Sequence, residues 1–516
     1  MSTESGATFE LVVNGAGRTV VDDGRSLLDV LRDDVHARSV KDGCSPQGQC
    51  GCCTVLVDGQ PRVSCVTPAR RVQGRTVTTL EGVDAGLRER WATALTDSGG
   101  SQCGFCTPGI ICRLVGLADK GGDLADSSVV GRALQAHLCR CTGWQTIVEG
   151  AAIVAGEAPA STAPPRTGAT RRAEMEGRTP QLVGAEIALG AAGFADDTAP
   201  VDALVAVSDG AGGWAVAPSL AEARRAVAKV QGRRTTASVT PPLELPAGPW
   251  VRTLRTSWAE PGYLETDASW CLPGGEPASP LANGGAFGAK QASVVGDISR
   301  RLADEHGQAV RVLLSREDTV RMGPKRPPVA AGIGVDGTGT IRVARTPGIA
   351  DAIHLAGPEL RVEEVDLPGP PTSATIRSAG WAEAIVLLAG LRGEVGQVVH
   401  PEGGRASAAV VDGVIRVEVS CGEVLDEIVL RSYCIGATHM AYSWVTSEGL
   451  AVAGDGTIGD LTIRSFGIVR AIDTPPIEVT VTDDAGPPVN GSDAVFAAVA
   501  AATWLDRGCP QDWPTG

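Results

Sequence analysis

Eight cysteines in the first part of this chain fall into two sets of four whose spacing suits iron–sulfur chemistry. The first set is Cys44, Cys50, Cys53 and Cys65, inside GCSPQGQCGCCTVLVDGQPRVSC. Three closely spaced cysteines followed by a distant fourth is the plant-type arrangement of a [2Fe–2S] cluster, which needs four thiolates in a pre-shaped loop. The first gap holds five residues here, one more than usual. Cys52 is a spare thiol beside two ligands, read as a small packed residue rather than a substitute ligand. The second set pairs Cys103 and Cys106, in QCGFCTPG, with Cys139 and Cys141, in LCRCTGW. Taken alone, that pattern also admits a zinc site or a dithiol redox pair. Cys112 follows on what reads as a helix and is expected to be buried there.

These thiols must be held by particular elements. Alternation in Phe9, Leu11 and Val13, a turn at Asn14-Gly15 and a return through Thr19, Val20 and Val21 predict a β-hairpin. Ser26 with Asp29 opens SLLDVLRDD as a capped helix. TVLVDGQPRVSC is a second hairpin with Asp58-Gly59 at its turn, and RTVTTLEG closes a small β-grasp domain. From 85 onwards, LRERWATALTD, TPGIICRLVGLADK, SSVVGRALQAHL and TGWQTIVEGAAIVAG predict four helices. Each cysteine pair of the second set lies next to a helix end, where amides and dipole favour thiolate.

Composition narrows the classes. The chain has 516 residues, 43% hydrophobic, 20% charged and 4% aromatic, too long for one core. No run of about eighteen apolar residues predicts a membrane span. The N-terminus lacks the basic and apolar regions of a signal peptide, and the fourteen cysteines then suit metal ligation in a reducing, cytoplasmic setting. A net charge of −15 argues against nucleic acid, and six scattered histidines argue against a multi-histidine metal centre.

QCGFCTPG followed by LCRCTGW, directly after a plant-type loop, resembles the two-cluster module of the xanthine dehydrogenase and aldehyde oxidase family of molybdenum hydroxylases. The resemblance covers residues 8–155. It implies a β-grasp [2Fe–2S] ferredoxin-like domain (1–84) and a helical [2Fe–2S]-binding domain of four helices (85–156). Composition and pattern add a linker rich in Pro, Ala, Thr and Arg (157–180) and a small α/β domain (181–255). With a shortened molybdopterin-binding-like region (256–516), the expectation is a multidomain α+β chain. In the family the glutamine before the CxxC pair contacts the pterin, and Gln102 holds that position.

Beyond the linker, NGGAFGAK resembles the family's GGxFGxK loop, which implies cofactor contacts by Gly284, Gly285, Phe287 and Gly288. Glycines allow backbone amides to approach an anionic cofactor closely, although a simple turn is the plainer reading. VRVLLSREDTVRMGPKRPP resembles the family's SRE…KRHP segment. TIRSAGWAEA resembles a compressed substrate loop with Arg377 at the arginine position. Where the family carries a catalytic glutamate, this chain has Ser492-Asp493. Asp493 is therefore expected either as a shorter catalytic base or as a cap for the last helix. Gln291 stands where purine-oxidising members have glutamate, which argues against a purine. The post-linker region is about half the family's length, and its central cofactor segment is missing.

The expectation is an iron–sulfur electron-transfer subunit of a molybdenum hydroxylase-type oxidoreductase. It carries two [2Fe–2S] clusters, shares molybdopterin with a partner chain and passes electrons to FAD on another subunit. Its expected partners are molybdopterin-binding and FAD-binding subunits and a small-molecule substrate. The alternatives are an electron carrier with a non-catalytic docking or assembly domain, and a self-sufficient molybdopterin hydroxylase.

Overall fold

Two tight turns start the fold. Asn14 and Gly15, both at positive φ (50° and 80°), join β1 (Thr8–Val13) to β2 (Ala16–Val21). Asp58 and Gly59 (48° and 72°) do the same for β3 (Thr54–Val57) and β4 (Gln60–Val63). β5 (Thr76–Thr78) lies between the hairpins, parallel to β1 and antiparallel to β3, giving the order β2-β1-β5-β3-β4. The capping box of Ser26 and Asp29 forms, but only one α-turn follows before the chain widens to a π-helix at Val30–Asp34. The computed structural model describes residues 7–156, 167–229 and 237–516.

All four helices expected after the sheet are present: Ala85–Ser98, Thr107–Ala118, Ser127–Ala133 with a 3₁₀ extension, and Gln145–Ala155. Residues 157–166 of the expected linker lie outside the described residues. Its second half is a helix, Ala169–Gly177, a correction to the linker reading. Arg172 and Glu176 of that helix are fully buried and paired, and Arg172 also donates to the carbonyls of Val424 and Val489. Pro and Arg in the composition suggested a spacer; internal pairing of the charges turned this half into a packed element.

Among the described residues, the rest of the chain builds three four-stranded sheets. One runs β7-β6-β10-β9, from β6 (Leu204–Ser208), β7 (Trp214–Ala217), β9 (Ala268–Cys271) and β10 (Val310–Leu313). The second runs β13-β12-β11-β8, from β8 (Arg252–Arg255), β11 (Val329–Ile333), β12 (Gly339–Ala344) and β13 (Leu360–Val365). The third runs β14-β15-β16-β17, from β14 (Val398–Val399), β15 (Arg405–Val411), β16 (Val414–Ser420) and β17 (Ile477–Thr482). The boundary expected at residue 255 therefore does not separate two bodies. β6 pairs in parallel with β10, and β8 pairs with β11, because a strand placed before that boundary finds its partner after it.

Two helices anchor the C-terminal core, Glu427–Thr446 and Ser492–Asp506, packed on each other, the first also on β17 and the second on β15. Buried polar contacts tie this half to the cysteine-bearing half. Arg140, between Cys139 and Cys141, makes a bidentate pair with Glu448 (2.5 and 2.7 Å). Gln47, in the first cysteine loop, donates to Glu317 (2.9 Å). Lys41 and Arg32 meet Asp197.

Candidate iron–sulfur and cofactor sites

The first cysteine loop turns at positive φ through Ser45, Gly48 and Gly51, which brings Cys44, Cys50, Cys53 and Cys65 together in the interior. The Cys44 thiol meets those of Cys50 and Cys65, and Cys65 meets Cys53. Backbone amides face the sulfurs: Gln47 N–H donates to Cys44 Sγ (3.1 Å) and Cys65 N–H to Cys53 Sγ (3.4 Å). Gly51 has no alternative, since a Cβ there would lie 2.5 Å from the His137 ring. Arg316, buried in the SRE segment, donates to the carbonyl of Gly43 (2.7 Å) and braces the loop from the far half of the chain.

The second set assembles from a helix start and a turn. Cys106 is the residue before Thr107–Ala118, and Cys139 and Cys141 precede Gln145–Ala155. Cys103 Sγ and Cys141 Sγ are 3.6 Å apart, and Cys106 meets Cys139. Thr142 Oγ1 lies 3.1 Å from Cys139 Sγ. Cys52 sits between the sets, in contact with Cys50 and within electrostatic reach of Cys103 and Cys106. Its hydrogen bond with Cys50 favours the thiolate, but burial and neighbouring thiols win and raise its pKa. Cys112 is pushed up to about 12 by burial and faces the core as a neutral thiol.

Protonation tests the fit of a metal cluster. In the first set, hydrogen bonds from Cys50 and Cys65 hold Cys44 well below the usual thiol range, while Cys50 and Cys65 rise because they share protons with it. In the second, the hydrogen bond from Cys106 leads Cys139 down to about 7, while Cys106 and Cys141 rise. Four buried thiolates at contact distance need positive charge among them, which a di-iron core supplies. The thiol contacts, Cys44 with Cys50 and Cys65, Cys53 with Cys65, then Cys103 with Cys141 and Cys106 with Cys139, link each set into one four-sulfur group, the number a [2Fe–2S] cluster takes. The donor sets fit.

The glycine loop comes to the second set directly. Gly285 packs so tightly that a Cβ would lie 3.2 Å from Cys103 Cβ, and Asn283 donates to the Cys103 carbonyl (3.0 Å). Gln102 donates to the Cys141 carbonyl (3.1 Å) and to Ser432 Oγ (2.9 Å). Gly285, Phe287, Gly288, Arg377 and Asp493 converge with Gln102 on one cavity; Gly284 instead packs on Gln181. Phe287, Arg377 and Arg178 there all hold positive φ, a concentration of backbone strain found at sites under functional constraint.

That cavity is nearly full. Its volume is about 20 Å³, the room of a single water molecule. Gly288 lies against the Thr375 carbonyl, and Thr375 Oγ1 donates to Gly288 O (2.7 Å). Lys290 pairs with Glu265 (2.7 Å), and Asp493 with Arg178 (2.9 Å) and Arg377 (3.7 Å). Burial opposes the Asp493 charge, but Arg178 and Arg377 outweigh it and hold the carboxyl below its usual range. Such a carboxylate is a weak base. Nor does it cap its helix: Gly491 and Ser492 N–H donate to Glu176, from the stretch read as linker. Although Gln181 Nε2 and Arg377 Nε are buried without hydrogen-bond partners among the described residues, the volume decides. A molybdopterin does not fit between these elements.

Comparison with known proteins covers the cysteine-bearing part closely. Residues 11–78 match the family described as 2Fe-2S iron-sulfur cluster binding domain, and residues 79–152 the [2Fe-2S] binding domain family. The nicotinate dehydrogenase small FeS subunit of Eubacterium barkeri is 40% identical over 139 residues, 27% of this chain and 87% of that one. The chain belongs to the molybdenum hydroxylase family. Another relative is the xanthine dehydrogenase iron-sulfur-binding subunit of Escherichia coli O157:H7, 39% identical over 144 residues, 27% of this chain and 89% of that one. The aldehyde oxidoreductase of Desulfovibrio gigas shares the fold over 96% of this chain and 97% of its own, with a TM-score of 0.71 and 15% identity. The chain is thus a multidomain α+β oxidoreductase component with two [2Fe–2S]-binding domains and an aldehyde oxidoreductase fold. Its electron-transfer role is that of an iron–sulfur subunit of this family. Among the described residues no helix is long and apolar enough to cross a membrane.

Proposed function

We propose that Cys44, Cys50, Cys53 and Cys65 ligate one [2Fe–2S] cluster and Cys103, Cys106, Cys139 and Cys141 the other. When bound, each cluster takes up and releases one electron. The chain's own residues set the conditions: burial excludes water, and the amides of Gln47 and Cys65 face the sulfurs. Electrons reach the Cys103 set from a partner subunit that oxidises a small-molecule substrate and leave from the Cys44 set to a flavin-bearing subunit in the cytoplasm. The names of the two relatives, each a subunit of a dehydrogenase, support partners of that kind. The C-terminal half is a scaffold in this reading, with Gln102, Gly284, Gly285, Phe287, Gly288, Arg377 and Asp493 holding it against the second cluster.

The observation that carries the proposal is the gathering of eight buried, unbridged thiols into two sets. Metal analysis of the natively purified chain tests it: about four iron and four acid-labile sulfide per chain are expected. Zinc in place of iron sinks the reading. Molybdenum bound stoichiometrically by the isolated chain sinks the scaffold assignment.

A further inference from the structure

A cavity of about 370 Å³ lies against the first cysteine loop, far larger than the closed space at Asp493. It opens beyond the C-terminal ends of β6 and β10, neighbouring parallel strands. Ligands of α/β sheets bind at that end of the strands, because the connections diverge there and leave a crevice. Val207, next to the end of β6, and Leu313, at the end of β10, stand in the wall, and Leu220 and Leu461 add to its apolar part.

Ser45, the residue after Cys44, forms the inner boundary. Lys229 donates to the Ser45 carbonyl, and Arg224 to Ser45 Oγ (2.9 Å). Two cations, Lys229 paired with Glu317 (3.1 Å) and Arg224 paired with Asp42 (2.7 Å), stand between the cavity and the cysteine loop. Acidic groups also line it, but Glu317 is engaged by Gln47 (2.9 Å) and Lys229 (3.1 Å), and Asp318 by Ser315. The rim at Asp209, Gly210 and Arg321 is exposed, so the space is reachable from solvent.

We propose that this cavity binds a quinone-type electron acceptor: a flat conjugated ring between apolar walls, with a carbonyl oxygen towards Lys229 and Arg224. The volume suits a one- or two-ring molecule. Reduction places negative charge on the oxygens, where the two cations stabilise it. The quinone takes up two electrons and two protons to become the hydroquinone. The electrons come one from each reduced cluster, and the protons from solvent at the open rim. This inference rests on the ligation proposed above.

The test uses the full chain, reduced with dithionite and mixed anaerobically with 1,4-naphthoquinone or with ferricyanide while cluster absorbance is followed. The quinone rate should saturate with concentration. Ser208→Trp, which fills the cavity from the end of β6, should lower the ratio of quinone to ferricyanide rates roughly ten-fold, and Lys229→Met should lower it less. A linear concentration dependence, with the ratio unchanged in both variants, overturns the proposal. Equilibrium dialysis of 1,4-naphthoquinone against the oxidised chain is the second arm: binding lost in Ser208→Trp supports the site, and binding equal in both, or absent in both, overturns it. A preparation without iron defeats the ligation reading, and the dialysis arm still decides the cavity.

Discussion

The two halves of this molecule treat buried reactive groups in opposite ways. Around Cys44 and Cys103 the thiols have chiefly one another, so their proton and charge balance is incomplete without a cation. Around Asp493 the charges are balanced from within: Asp493 by Arg178 and Arg377, Lys290 by Glu265, Arg326 by Glu383 (2.8 Å), Lys325 by Glu260 (3.0 Å). An incompletely balanced donor set is a place for a cofactor. A balanced, close-packed cluster of ion pairs has no charge left for a cofactor to answer. Phe287 and Arg377 hold positive φ around a cavity of only about 20 Å³.

The largest effect expected from breaking this contrast is at the thiols. Cys103→Ser should remove one cluster, seen as a fall to about half the iron per chain, whereas Cys112→Ser, outside both sets, should leave iron unchanged. Equal iron loss in the two variants would erase the distinction between ligand and packed thiol. Asp493→Ala probes the balanced side. It should keep full iron yet cost about 1–3 kcal/mol in chemical denaturation, since Arg377 is left buried and unpaired while half-buried Arg178 keeps Glu402. Loss of iron with unchanged stability would reverse the assignment of the two regions.

A smaller effect lies at the seam. His439 is buried against Val469 O (3.1 Å), and burial, with Arg140 adding to it, lowers its pKa to about 3. The unfolded imidazole titrates near 6.5, so it takes up protons that the folded one refuses. Its contribution is fully present above about 6.5 and is lost as pH falls from there towards 3, by about 1.4 kcal/mol per unit. Urea midpoints at pH 7 and 5.5 should separate for the natural chain and draw together in His439→Gln.

Local chemistry was readable wherever neighbours in sequence are neighbours in space. Asn14-Gly15 and Asp58-Gly59 announced their turns, and periodicity announced the helices around the second cysteine set. The SRE segment was visible as a motif, but that Arg316 braces Gly43 was not, since 273 residues separate them. Glu176 escaped notice inside a stretch with a spacer's composition, although Glu at that point also answers to two helix-start amides. The boundary at 255 failed because β6 carries no mark of a partner as distant as β10.

What the sequence determined by itself is the pair of cysteine sets and the elements that carry them. Ligand spacing, turn residues and helix starts are local properties, written within a few residues of each other. Whether the glycine loop, Arg377 and Asp493 enclose a cofactor was a matter of volume. Volume depends on how segments hundreds of residues apart pack, and here Thr375 against Gly288 and Arg178 against Asp493 closed the space. The same long-range packing opened the cavity beside Ser45, from two strands, a helix and a metal-binding loop that no single stretch of sequence contains.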